Sequence, residues 1–245
     1  MCILKEERAQ VKSKKRVADH GEVFTAEREV NAMLDLVKDE TERIDSRFLE
    51  PACGDGNFLA EILRRKLKVV NRKYGKSLPD YEKYSVSALM NIYGVDILED
   101  NVEDCRERLY NIWEKDYERA AKGKTDDEIK KVARFLLKRN ILHGNVLTME
   151  ENNGVPIIFS EWSFVIDDKV KRRDFRLDKL LIQGQINKRE KPYQFLLEQY
   201  LPEEGDSSSK ENDQGWGIDE KTNEVISKPI KVYPLIDYRE VYKVE

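Results

Sequence analysis

The stretch FLEPACGDGNFL, residues 48–59, constrains this chain more than any other, because it sets an acid, a proline and two glycines one residue apart between two apolar runs. The residues before it, SRFLEPA, are a short apolar run closed by proline, and a strand fits them since CGDG cannot extend a helix. After it Phe58, Leu59, Ile62, Leu63, Leu67 and Val70 recur at spacings of three and four, which predicts a helix starting directly after the glycines. In an open parallel sheet, ligands sit beyond the carboxyl ends of the strands, and a glycine turn lets backbone approach them at a helix N-terminus. Gly54 and Gly56 suit that task, though a turn needing positive φ asks for glycine just as readily. Leu59 stands where a dinucleotide fingerprint GxGxxG needs its third glycine, and no GK[ST] follows for a triphosphate loop.

The same alternation continues down the chain. TAEREVNAMLDLVKDE predicts an amphipathic helix with Thr25 as its N-cap, placed ahead of the first strand. Residues 71–84 read as a polar connection holding Gly75 and Pro79, and NIYGVDI as a second strand ending in Asp96. A long helix follows, with Val102, Cys105, Leu109, Ile112 and Trp113 along one side. Thr125 and Glu128 have capping-box spacing for the next helix, and NILHGNVLTM and VPIIFSEWSFV read as third and fourth strands. Strands alternating with helices imply an α/β fold, a doubly wound and mostly parallel sheet with right-handed crossovers. Beyond about Val165 the pattern fails. Residues 1–19 read as a charged leader, 20–165 as a cofactor-binding domain and 166–245 as a polar, partly flexible extension. Within that extension only YQFLLEQYL and VISKPIKVYPLIDY offer apolar material.

Composition narrows the chemistry. No apolar run reaches the roughly 20 residues that span a bilayer, and MCILKEERAQ turns charged too early for a signal peptide, so a cytoplasmic protein without a membrane partner is expected. Cys2, Cys53 and Cys105 are scattered and the histidines are only His20 and His143, which leaves neither a disulfide frame nor a cysteine or histidine metal centre. Cys53 reads as a small turn residue, His143 as a strand end and Trp113 as core. A net charge of −4 is unlike a stand-alone DNA binder, since the basic runs KSKKR (12–16) and KVKRR (169–173) are short and read first as solvated faces.

Glu50 ahead of the turn and Asp96 at the end of the neighbouring strand carry the remaining signal. A carboxylate at a strand end can accept hydrogen bonds from both hydroxyls of a ribose. One at the first turn would repel a pyrophosphate yet order a cationic ligand, which disfavours NAD and favours S-adenosylmethionine. FLEPACGDGNFL resembles motif I of the S-adenosylmethionine-dependent methyltransferases that modify the adenine N6 amino group of DNA in restriction-modification systems. HGEVFTAEREV (20–30) resembles the segment those enzymes place ahead of motif I, with Thr25 kept and Ala26 in place of the usual proline. YGVDI resembles motif II and LHGNVLTM motif III, where Asn145 stands in place of a common Asp. The order is that of γ-type enzymes and of type I modification subunits, and the likeness spans residues 20–160. It implies a Rossmann-like methyltransferase fold, here incomplete, and a cofactor site built from Phe24, Thr25, Glu50, Pro51, Ala52, Gly54, Gly56, Phe58, Asp96, Ile97, Asn145 and Val146.

The chain departs from that family at its catalytic tetrapeptide, an Asn, Asp or Ser followed by two prolines and an aromatic residue. The corresponding place reads IIFSEWSFV, where Ser160, Glu161 and Trp162 offer an acceptor, an acid and a ring for a degenerate site. Two expectations follow from different classes. One is a DNA adenine methyltransferase or modification subunit, and the other a non-catalytic S-adenosylmethionine-binding protein, or a degenerate enzyme needing a restriction or specificity subunit. A nicotinamide oxidoreductase is the third, opposed by Leu59 and Glu50.

Overall fold

A computed structural model of the chain describes residues 11–180, 216–218 and 225–244. It begins with α1 (Lys14–His20), whose N-cap Ser13 accepts from the Arg16 amide at 3.2 Å and whose C-cap Gly21 sits at φ +65°, a left-handed stop suited to glycine. Then come α2 (Glu27–Asp35), α3 (Lys38–Thr41), β1 (Phe48–Glu50), α4 (Asn57–Tyr74), α5 (Leu78–Met90), β2 (Ile92–Asp96), α6 (Glu99–Ala121), α7 (Asp127–Asn140) and β3 (Ile141–Asn145). The strand, glycine turn and helix stand as the sequence predicts them. Three local expectations are corrected. Ala26, not Thr25, is the cap of α2 and makes no side-chain bond there. Asp126, one residue beyond the expected Thr125, caps α7 by accepting from the Glu128 amide at 2.8 Å. The expected polar connection over 71–84 holds most of α5's first half, capped by Ser77, because a proline in the first turn of a helix starts it instead of breaking it.

These strands form a mixed, mostly parallel open sheet in the order β1-β2-β3-β4, the last being Glu150–Glu151, antiparallel to β3. Successive parallel strands that step one way across a sheet, each joined by a right-handed crossover, set their helices on one face. Gly94 accordingly faces Leu59 and Cys53, while its neighbours Tyr93 and Val95 face away, into a cluster with Ile157, Phe159 and Leu177. The second face is therefore covered by the following chain.

That chain is a hairpin, and it corrects the expected fourth strand. β5 (Ile158–Ile166) pairs antiparallel with β6 (Lys169–Arg176) in a separate sheet. The two residues between them, Asp167 and Asp168, form the turn, with Asp167 at φ +47°. β7 (Trp216–Ile218) pairs with β8 (Val225–Ser227), while β9 (Lys231–Val232) and β10 (Ile236–Asp237) both add to β6. A 3-10 helix, η1 (Tyr238–Lys243), follows and buries Tyr238 and Val241 against the main core. Residues 166–180 and 229–244 are thus structural members of the fold, where composition predicts an extension. YQFLLEQYL lies outside the described residues, as do residues 203–215 and 219–224. No helix among the described residues is long and apolar enough to cross a membrane.

Candidate functional site

The parallel register Glu50↔Gly94 and Asp96↔His143 brings the carboxyl ends of β1, β2 and β3 to one edge of the sheet. Glu50 ends β1 half-buried; burial raises its carboxyl above the usual range, against a hydrogen bond from the Ala52 amide. Pro51 and Ala52 are exposed, and the Cys53 amide donates to Val95 O at 2.9 Å, extending the β1–β2 pairing into the turn. Gly54 then turns at φ +52° and sends its amide across to Asp96 Oδ2 at 2.8 Å. Asp96 Oδ1 accepts from the Leu98 amide at 2.9 Å and from Asn101 Nδ2 at 3.2 Å. An ionised carboxylate has about four acceptor positions, so the protein fills most of them and leaves room at Oδ2. Asp96 is first of all the group that fixes the glycine turn.

The glycines answer to two different constraints. At Gly54 a Cβ would lie 3.0 Å from the ring of Phe24, so the segment preceding α2 lies directly on the turn. At Gly56, where φ is +86°, a Cβ would come within 2.7 Å of Cys105 Sγ. Gly56 is buried, and its lack of a side chain lets α4 begin against α6. The expectation that both glycines serve ligand approach is corrected: only Gly54 lies on the half-exposed side. Cys53 is buried, and the Cys105 hydrogen bond and burial push its thiol up, which suits a turn residue and not a nucleophile.

The chain ahead of α2 is strapped to the same edge. Thr25 O accepts from Asn57 Nδ2 at 3.0 Å, and Arg108 holds both Asn57 Oδ1, at 2.5 Å, and the buried Asp55 carboxylate, at 3.2 Å. Phe58 is half-buried and packs on the main core. Lys12 and Arg16 of the basic run 12–16 both bind Asp100, and both donate to Asn101 Oδ1, at 2.9 and 3.0 Å; Lys12 also reaches Asp104 at 2.6 Å. Arg16 holds Glu22 as well, and Glu22 Oε1 accepts from Asn101 Nδ2 at 2.7 Å. The hydrogen bond from Arg16 draws the Asp100 carboxyl down to about 2. Asn101 therefore links the leader to Asp96; Lys12 and Arg16 are paired within the chain, while Lys14 and Lys15 of the same run stand exposed. A polar Asn beside Val102 on the apolar stripe of α6 was the sequence signal for it.

At the end of β3, Asn145 Oδ1 accepts from the Leu147 amide at 2.9 Å and so shapes its own turn. Val146 packs partly into the second-face cluster, and Ile97 and Leu147 stand exposed, Leu147 at 92%. His143 Nε2 lies 3.1 Å from Ile97 O. Glu50, Gly54, Asp96, Ile97 and Asn145 thus share one edge of the sheet.

Ser160, Glu161 and Trp162 lie elsewhere, and their expected roles are corrected. Trp162 is 3% exposed, donates from Nε1 to Asn140 Oδ1 at 3.1 Å and meets Phe135 edge-on. Ser160 is fully buried, donates to Asp174 Oδ1 at 2.8 Å and accepts from Arg172 Nε at 3.2 Å. Neither side chain can meet an extruded base without unpacking the hairpin. Glu161 bridges Arg47, at 2.6 Å, and Arg173. The physical reason is that an antiparallel hairpin strand directs alternate residues into the core, whereas a catalytic strand end needs them at a sheet edge. The basic run 169–173 divides likewise, with Val170 and Arg172 buried between more exposed neighbours.

Compared with known proteins, the chain matches no family model, no curated protein and no solved structure.

Proposed function

We propose that the chain is an S-adenosylmethionine-binding, DNA-methyltransferase-like protein of the Rossmann-like class that holds the cofactor without transferring methyl by itself. The observation that carries the reading is the Asp96 carboxylate reaching from the end of β2 to the Gly54 amide, with Glu50 ending the adjacent strand. The fit to such a ligand is supported residue by residue. Asp96 Oδ2 retains acceptor capacity for a ribose hydroxyl, Glu50 is the carboxylate for a cationic group, and Ile97 offers an exposed apolar face for a base. Phe24 and Thr25 would close the methionine end, Phe24 already lying on Gly54. When bound, the cofactor would supply an electrophilic methyl group.

The non-catalytic reading is favoured because Ser160 and Trp162 are buried and hydrogen-bonded, so neither is presented to a target amine at this edge. Adenine N6 methylation of DNA would then need a restriction or specificity subunit to supply the missing part. DNA binding by the chain alone is expected to be weak and steeply salt-dependent, since Lys12, Arg16 and Arg172 are paired with the chain's own carboxylates.

Calorimetric titration of the full chain with S-adenosylmethionine, S-adenosylhomocysteine and NAD tests the reading. The first two are expected to bind at one site and NAD not to. Glu50→Gln should weaken S-adenosylmethionine about tenfold, the loss expected for one charge-assisted contact. Preferential NAD binding, or none of any kind, overturns the proposal. A radiolabelled methyl-transfer assay on unmethylated DNA should show no incorporation by the chain alone.

A further inference from the structure

A cleft of about 500 Å³ opens on the second face of the sheet and is independent of the cofactor reading. Its position follows from topology. Among the described residues β1 is the edge strand and pairs with β2 alone, and the hairpin's Phe159, Glu161 and Phe175 line the cleft beside it. Leu49, 40% exposed, and Tyr93 contribute from the strands, and Phe159 and Phe175 from the hairpin. The Tyr93 hydroxyl is already spent on Ser160 O at 2.9 Å, and its ring stands edge-on to Phe159 at 5.4 Å. What the cleft offers there is apolar and aromatic surface.

The rim is charged and unbalanced. Glu161 alone sits between Arg47 and Arg173, so two guanidinium groups share one carboxylate and the cluster carries one net positive charge. Arg47 is more than half exposed and Arg173 is 38% exposed, so both guanidinium groups can be approached from the cleft. A site of this volume, largely apolar with a few convergent polar groups, has the usual character of a small-molecule pocket.

We propose that this cleft binds a planar aromatic molecule bearing an anionic group, its ring against Leu49, Tyr93 and Phe159 and its anion between Arg47 and Arg173. Such chemistry can come from an aromatic carboxylate or from a purine nucleotide, and a probe of each separates them. The full chain would be titrated calorimetrically with 2-naphthoate and adenosine 5′-monophosphate, with neutral 2-naphthol and ring-free cyclohexanecarboxylate as controls. At least one of the aromatic anions is expected to bind one to one. Both controls should bind at least about tenfold more weakly, since each lacks one half of the recognition. The Arg47→Ala/Arg173→Ala variant should lose about tenfold or more in affinity, and Leu49→Trp should block binding by filling the floor. If the double variant does not fold, Arg47→Ala alone, at an exposed side chain, makes the same test. The proposal fails if neither anion binds, if 2-naphthol binds equally, or if the Arg47 and Leu49 variants bind as the wild type does. Because S-adenosylmethionine titration reads the opposite edge, loss of either result leaves the other standing.

Discussion

Asp96 carries three protein donors, and its substitution is therefore expected to register in stability before it registers in binding. Asp96→Ala strands the Gly54 and Leu98 amides at a largely buried position and should cost about 1–3 kcal/mol in urea denaturation. An unchanged midpoint would remove Asp96 from its turn-fixing role. Lys66 makes a different kind of test. It is fully buried on α4, and its amine donates to the carbonyls of Arg43, Ile44 and Ser46 at 2.9, 2.8 and 2.6 Å, tying down the approach to β1. Burial pulls the amine down to about 7 from its ordinary 10.5. Between those values the unfolded chain holds a proton that the folded chain has released, so stability should rise with pH across that window. Below pH 7 both states are charged, and the group contributes no slope. The unfolding free energy of the wild type minus that of Lys66→Met, followed from pH 6 to pH 10, should therefore increase above about pH 7. Parallel curves would refute a depressed Lys66.

Elements divide by whether their local chemistry names a partner. Gly56 sits at φ +86° with Cys105 Sγ in the place of its Cβ, so Gly56→Ala incurs both backbone strain and a clash. It should destabilise by about 1–3 kcal/mol, with Cys105→Ala recovering only the steric share. Full recovery would show that backbone conformation is not limiting there. The strand, turn and helix around that glycine were legible because glycine spacing and a period near 3.6 residues are local signals. Which neighbour required Gly56 was not, since Cys105 is distant in sequence and meets it only through the packing of α4 on α6. IIFSEWSFVI was harder: an apolar run reads alike for a parallel strand and for a hairpin strand. Asp167-Asp168 is the available turn signal, and it falls where the chain turns polar and composition predicts an extension. Trp162 follows from that misplacement. On a hairpin packed against α7 it is a core residue, and Trp162→Ala should cost about 3–5 kcal/mol in unfolding while leaving cofactor affinity intact. Loss of cofactor binding at unchanged stability would return Trp162 to the site.

For the whole molecule, the hairpin and the C-terminal segment stand where a doubly wound sheet would carry its second set of helices, and a polar network locks them there. Asp174, nearly buried, accepts from Arg172 through both oxygens at 2.9 Å, from Ser160 at 2.8 Å and from the Tyr233 hydroxyl at 3.1 Å. Arg172 in turn donates to Val244 O at 3.1 Å and lies 4.0 Å from the centre of the Tyr233 ring. Few residues of this network identify themselves in sequence, because charged side chains in a polar-looking stretch have the composition of a solvated loop. Here they are buried, and their bonds leave the hairpin for α7, through Arg139 at 3.5 Å from Ser160 and Asp174, and for residues 229–244. Removing those residues would take the acceptor and the ring from Arg172, a donor from Asp174, and Tyr238 and Val241 from the main core. A hydrogen bond to a buried charged group is worth about 1.5–3 kcal/mol, and losing the two core side chains adds to it, against a total stability of about 5–15 kcal/mol for a domain. A chain ending at Lys228 is therefore expected to unfold at markedly lower urea concentration than the full chain, or to fail to accumulate as folded protein. A polar extension would be dispensable, so a truncated chain with the full chain's urea midpoint and cooperativity would show that the network does not hold the second face of the sheet.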